Sequence, residues 1–113
     1  MNDSIMMEVK EQLGGVTTRP SIREEILRKA NEIAKGNRAG MYGQPERNFQ
    51  TIAIFWSEYL GVEISPSDVG IMMAMMKIAR ISSGHYKEDN YVDVVNYLLF
   101  AAELNEAAAS ENV

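Results

Sequence analysis

The residues that could do chemistry in this chain fall in two stretches. The first is Lys77-Ile78-Ala79-Arg80, whose two cations stand three residues apart and so share a helix face. The second is Asp89, Asp93 and Asn96, spaced by four and three, which form one polar stripe on the following helix. His85, the single histidine, and Lys87 lie in the polar connection between them. A short connection predicts antiparallel packing, which sets the Lys77/Arg80 end of one helix beside the Asp89/Asp93 start of the next. Three chemistries are open to that arrangement. The charges can neutralise one another as an ion-pair network that fixes the register of two apolar helices. Carboxylates can instead orient the cations as a fork for phosphate. Magnesium held by Asp89 and Asp93, with substrate phosphates completing its shell, would support hydrolysis.

Residues 37–48, NRAGMYGQPERN, are a second source of binding groups. Gly40, Gly43 and Pro45 forbid a continuous helix, and glycine-built loops between helices often carry function. Arg38, Tyr42, Arg47 and Asn48 are the side chains of interest there. If this loop meets the Lys77/Arg80 end, its arginines add to a phosphate site and Tyr42 or Phe49 stacks on a base. The alternative is an ordinary interhelical connection. A single histidine argues against a histidine-rich zinc site, and there is no P-loop or GxGxxG pattern.

These groups must be positioned by helices. Ser21 with Glu24 is a capping box, the stripe Ile22, Ile26, Ala30, Ile33 follows, and Lys35-Gly36 closes the helix. A second helix is predicted from about Glu46 to Leu60, with Phe49, Ile52, Ala53, Trp56 and Leu60 on one face and Phe55 and Tyr59 widening it. Ser65-Pro66-Ser67-Asp68 starts a third, which has no polar residue from Val69 to Met76. A helix apolar all round is buried in a core or against another subunit. The last helix is predicted from Asp89 or Asn90 to about Ala109, with apolar surface from Tyr91, Val94, Val95, Leu98, Leu99, Ala102 and Leu104 and a frayed tail. A short, weaker helix is expected over 4–13. The fold class is therefore all-α, a compact bundle of four main helices plus a weak N-terminal helix, divided as 1–20, 21–109 and 110–113. Because three neighbours leave part of the third helix uncovered, a homo-oligomer is expected.

Composition sets the outer bounds. The 113 residues are 46% hydrophobic and 24% charged, as in a single globular domain. No cysteine is present, so thiol chemistry and disulfides are excluded, and a reducing cytoplasm is the expected location. No apolar run is long enough to span a membrane. A net charge of −5 argues against binding double-stranded nucleic acid.

Three motifs, YGxPxxNF at 42–49, KxAR at 77–80 and DxxxDxxNY at 89–97, resemble those of a family of small uncharacterised proteins common in bacteriophage genomes. The likeness spans about residues 22–104. The segment Asp93 to Leu99 is more loosely similar to the acidic helix of the all-α NTP pyrophosphohydrolases, which implies magnesium bound by Asp89 and Asp93. Those enzymes carry a further glutamate pair where the central helix here has Met, Ala and Ile. With two acids suitably placed for a metal and several cations and aromatics in the loops, the preferred expectation is a non-catalytic, cofactor-free binder. Its ligand is a nucleotide or similar phosphorylated molecule, held by Arg38, Tyr42, Arg47, Asn48, Lys77, Arg80 and His85, with Asp89 and Asp93 orienting the cations. The phage resemblance implies a place in an infected cell, sequestering a nucleotide messenger of host defence. Magnesium-dependent pyrophosphohydrolysis is the alternative, and inhibition of a host protein partner is the third reading.

Overall fold

The structure, a computed structural model, describes residues 19–36 and 45–111. The expected helix over 4–13 and the loop residues Arg38 and Tyr42 lie outside them. The described residues hold four helices and no strand: α1 Ile22–Ala34, α2 Pro45–Leu60, α3 Pro66–Ser83 and α4 Glu88–Glu111.

The helix ends follow the local sequence chemistry. Ser21 and Glu24 exchange the two hydrogen bonds of a capping box, and so do Ser65 and Asp68 at the start of α3. Gly36 and Gly61 take positive φ of 91° and 68° just beyond α1 and α2, a conformation glycine adopts without a Cβ penalty. Between α2 and α3 the Ser57 hydroxyl accepts from the Ile64 N–H at 2.8 Å and donates to the Ile64 carbonyl at 3.2 Å. One side chain thus satisfies both backbone groups of a residue in the extended link. On α1, Arg28 bonds Glu25 at 2.6 Å and Glu32 at 2.8 Å. The Arg28 bond holds the Glu25 carboxyl below its usual range.

The tightest seam joins α3 to α4. A Cβ added at Gly70 would stand 2.9 Å from the Ala101 Cβ and 3.0 Å from the Tyr97 carbonyl oxygen. Ser67 donates to the Ala101 carbonyl at 2.8 Å on the same line. Small residues therefore let two backbones approach, and Gly70, Ala74 and Ala101 are all buried. Helix α2 completes the core: Phe49, Ala53 and Val69 are buried, with Trp56, Met73, Tyr97, Phe100 and Leu104 packed around them. The Phe49 ring meets Phe100 edge-on at 5.8 Å and Tyr97 at 6.4 Å. Helix α1 rests on α4.

As expected of a helix with few neighbours, α3 is covered only in part within the protomer: Ile71, Met75, Met76 and Ile78 are exposed, because α2 and α4 occupy only part of its circumference. Two expectations about burial are corrected. On α2 the core takes Phe49, Ile52, Ala53 and Trp56, while Phe55, Leu60 and Tyr59, the last 89% exposed, face out. On α4 the buried positions are Val92, Asn96 and Ala101, and Tyr91, Leu98 and Leu99 are exposed. Helix α4 also runs to Glu111, two residues beyond the end expected near Ala109.

Candidate functional site

The line Gly70, Ala74, Lys77 recurs at spacings of four and three, so the stripe that packs on α4 ends in a lysine. Lys77 Nζ reaches Asp93 Oδ2 at 2.9 Å, with the two side chains 14% and 28% exposed. The expected meeting of the α3 end with the α4 start is thus present for this pair.

Arg80 does not join it. The register that sets Gly70 on Ala101 and Lys77 on Asp93 brings Arg80 to the level of Asn90, where no carboxylate stands. Arg80 is exposed and has no ion-pair partner among the described residues. Asp89 forms no ion pair with Lys77 or Arg80; its charge acts on Lys29 of α1, whose Nζ is bonded to Glu88. That bond, with the further charges of Glu88, Asp89 and Glu25 and against partial burial, holds the Lys29 ammonium above its usual range. The first two turns of α4 are therefore clasped on one side by Lys29 and on the other by Lys77. The expected cluster of two cations and two carboxylates is in fact two separate lysine–carboxylate pairs from different helices.

His85 and Lys87 lie exposed in the α3–α4 connection at the same end as Arg80. Arg47 and Asn48 belong to the first turn of α2 and not to a loop, and both are exposed. Their neighbour Phe49 packs on Tyr97, so the start of α2 approaches α4 one turn beyond Asp93. Phe49 itself is buried in the core, which corrects the expectation that it could stack on a base. Arg38 and Tyr42 lie outside the described residues. The structure thus brings together Lys77 and Asp93, with Arg80, His85 and Lys87 around the same end and the α2 start nearby.

Two participants escape a reading of the sequence. Lys29 is one of several charges on the polar face of α1, and nothing in its spacing marks it as the partner of Glu88. Asn96 has the spacing of the polar stripe of α4, yet it is 95% buried because it shares its face with Val92. Its Nδ2 donates to the Val92 carbonyl at 3.3 Å, and its Oδ1 has no hydrogen-bond partner. The i−4 position of Val92 was the available signal for that burial.

Chemically, the arrangement offers cations more than metal ligands. Asp93 already bonds a lysine, and among the described residues no three His, Asp or Glu side chains converge. No described helix is long and apolar enough to cross a membrane.

Comparison with known proteins gives a family. A family model described as a domain of unknown function, DUF6378, matches residues 25–105. The Gene 55 protein of Mycobacterium phage L5 is 44% identical over 73 residues, covering 64% of this chain and 47% of that protein. The Gene 55 protein of Mycobacterium phage D29 is 42% identical over 74 residues, covering 66% and 49% respectively. The chain thus spans about half the length of these relatives. No solved structure matches.

Proposed function

The chain belongs to the DUF6378 family, and from that premise and its polar end we propose that it binds a nucleotide or a similar phosphorylated ligand where α3 meets α4. The observation that carries the reading is Lys77, held by Asp93 at the edge of the core with Arg80 exposed one turn on. An ammonium has three donors, and Asp93 engages one of them. The carboxylate fixes where the remaining donors point, which is what a phosphate site needs. Arg80, His85 and Lys87 add cationic or protonatable groups at that end, in a protein whose net charge is −5. Arg47 and Asn48, at the start of α2, are the groups that would reach a base or sugar.

The phage relatives give this reading its setting. A ligand bound and not cleaved would be withdrawn from circulation in the cytoplasm of the infected cell, which suits a nucleotide messenger of host defence. Self-association is a separate expectation with its own ground, since exposed apolar side chains remain on every described helix.

The test is a thermal-shift series with linear and cyclic nucleotides, with and without magnesium, followed by chromatography of the recovered ligand. A ligand at 100 times its Kd stabilises by about 2.7 kcal/mol, a rise of roughly 10 °C for a domain of this size. The expected result is such a shift, independent of magnesium, with intact ligand, and lost in Arg80→Ala. Cleaved nucleotide with a magnesium-dependent shift would replace binding by hydrolysis. No shift across the series would leave Lys77–Asp93 a strut and refute the proposal.

A further inference from the structure

The α3–α4 hairpin has two flanks. One flank meets α2, through Val69 and Met73 on α3 and Phe100 and Leu104 on α4. The stripe Gly70–Ala74–Lys77 is turned to α4 itself. The helical period then places Ile71, Met75 and Ile78 on the opposite flank of α3, and all three are exposed. On α4 the same construction places Tyr91 and Leu98 on that flank, away from Phe100 and Leu104. The antiparallel register aligns Ile71 with Leu98 and Ile78 with Tyr91, leaving Met75 central. Tyr86, whose ring lies 5.7 Å from that of Tyr91, extends the patch towards the connection.

We propose that this flank is the interface between two copies of the chain, which pair their α3–α4 hairpins into a four-helix bundle about a two-fold axis. The inference goes beyond the ligand reading and does not depend on it. Area decides the occupant first. From the exposures of the six residues, at the areas such side chains bury, the patch presents roughly 450 Å² of apolar surface. A standard interface takes about 800 Å² from each partner, somewhat over half of it apolar, so the patch matches what one side of a stable dimer supplies. Charge decides next. The α3 segment Val69 to Met76 carries no charge, and Asp93 on the neighbouring stripe is turned to Lys77. Two chains of net charge −5 can therefore meet here without opposing their carboxylates, and a neutral apolar face is complementary to itself. Geometry agrees: pairs of antiparallel hairpins close as up-down bundles with apolar seams.

The experiment is sedimentation of the full chain and two variants at micromolar concentration. Met75 is 60% exposed in the protomer, so Met75→Glu leaves the protomer folded by circular dichroism and weakens association about 100-fold or more by opposing two buried carboxylates. Phe55→Glu, on the exposed side of α2, leaves the dimer intact. The chain has no cysteine, so Met75→Cys gives a single thiol, and a bifunctional thiol reagent should link two copies. A monomeric native chain overturns the proposal, as does a dimer that survives Met75→Glu or is dissociated by Phe55→Glu. A native monomer in which deletion of residues 1–18 creates the dimer also overturns it, by showing that this segment of the chain covers the flank.

Discussion

Gly70→Ala tests the α3–α4 seam on which the candidate site depends. In an exposed helix this change would stabilise by about 1 kcal/mol, because glycine gives up more backbone freedom than alanine on folding. Here the new Cβ meets the Ala101 Cβ at 2.9 Å and the Tyr97 carbonyl oxygen at 3.0 Å. Neither neighbour is the free end of a long side chain, so relief requires the two helices to part by several tenths of an ångström. That displacement loosens dispersion contacts along the whole seam, Ser67 to Ala101 included. Overpacking of this kind costs up to about 3 kcal/mol, and the propensity gain leaves a net loss of about 2 kcal/mol. The melting temperature should fall by about 8 °C, since a domain of this size loses roughly 4 °C per kcal/mol. Thermal and urea unfolding of the native chain and Gly70→Ala measure it directly. Ala101→Gly in the same chain removes the nearer contact and leaves the Tyr97 oxygen, so it should recover part of the loss, with a coupling of about 1 kcal/mol in the double-mutant cycle. A Gly70→Ala protein that melts higher than the native chain would refute the close approach and, with it, the register that sets Lys77 on Asp93.

Other consequences concern the polar groups. Lys77→Met should leave Asp93 half-buried without its cation and cost about 2 kcal/mol, between the values for surface and buried pairs, whereas Lys77→Met with Asp93→Leu should recover most of that by unfolding measurements. Asn96→Leu removes a buried acceptor with no partner and should stabilise by about 1 kcal/mol in urea unfolding; a loss would show that Oδ1 is satisfied in solution. Lys29 is raised by Glu88, so its contribution is fully present below the unfolded lysine value of about 10.4 and is lost as pH rises through the higher folded value. The stability difference between the native chain and Lys29→Met should therefore close above that pH, and a difference constant to strong alkali would contradict the pairing.

The helices were legible because their ends are written in local chemistry. Ser21 with Glu24, Ser65 with Pro66 and Asp68, and the glycines at 36 and 61 each name a boundary without any tertiary information. Burial was less legible, for a physical reason that α2 illustrates. Phe55 and Tyr59 have the residue types of a core, but α2 lies at the margin of the bundle and touches its neighbours along a single stripe. A hydrophobic pattern shows that a face seeks cover and does not say which neighbour supplies it. The polar end repeats the point. Spacing put Lys77 and Arg80 on one face and Asp89 and Asp93 on another, yet only Lys77–Asp93 formed. Pairing is set by a register that small residues such as Gly70 and Ala101 determine, and by Lys29 arriving from a helix far away in sequence.

One hairpin thus carries two separable properties on adjacent stripes of the same helix. Gly70, Ala74 and Lys77 turn inward and define where Asp93 holds its lysine, while Ile71, Met75 and Ile78 are exposed on the outer stripe. A change on the outer stripe should alter association and leave the Lys77–Asp93 geometry in place, because the close contact at Gly70 does not run through it. A change on the inner stripe should disturb both, since parting α3 from α4 moves the cations and bends the outer flank together. The asymmetry follows from packing alone: the inner stripe brings the two helices close at Gly70 and Ala101, and the outer one consists of side chains that face water. Met75→Glu and Gly70→Ala, compared for both association and nucleotide-induced thermal shift, would therefore distinguish a dimer that supports the site from a dimer that merely shares its helix.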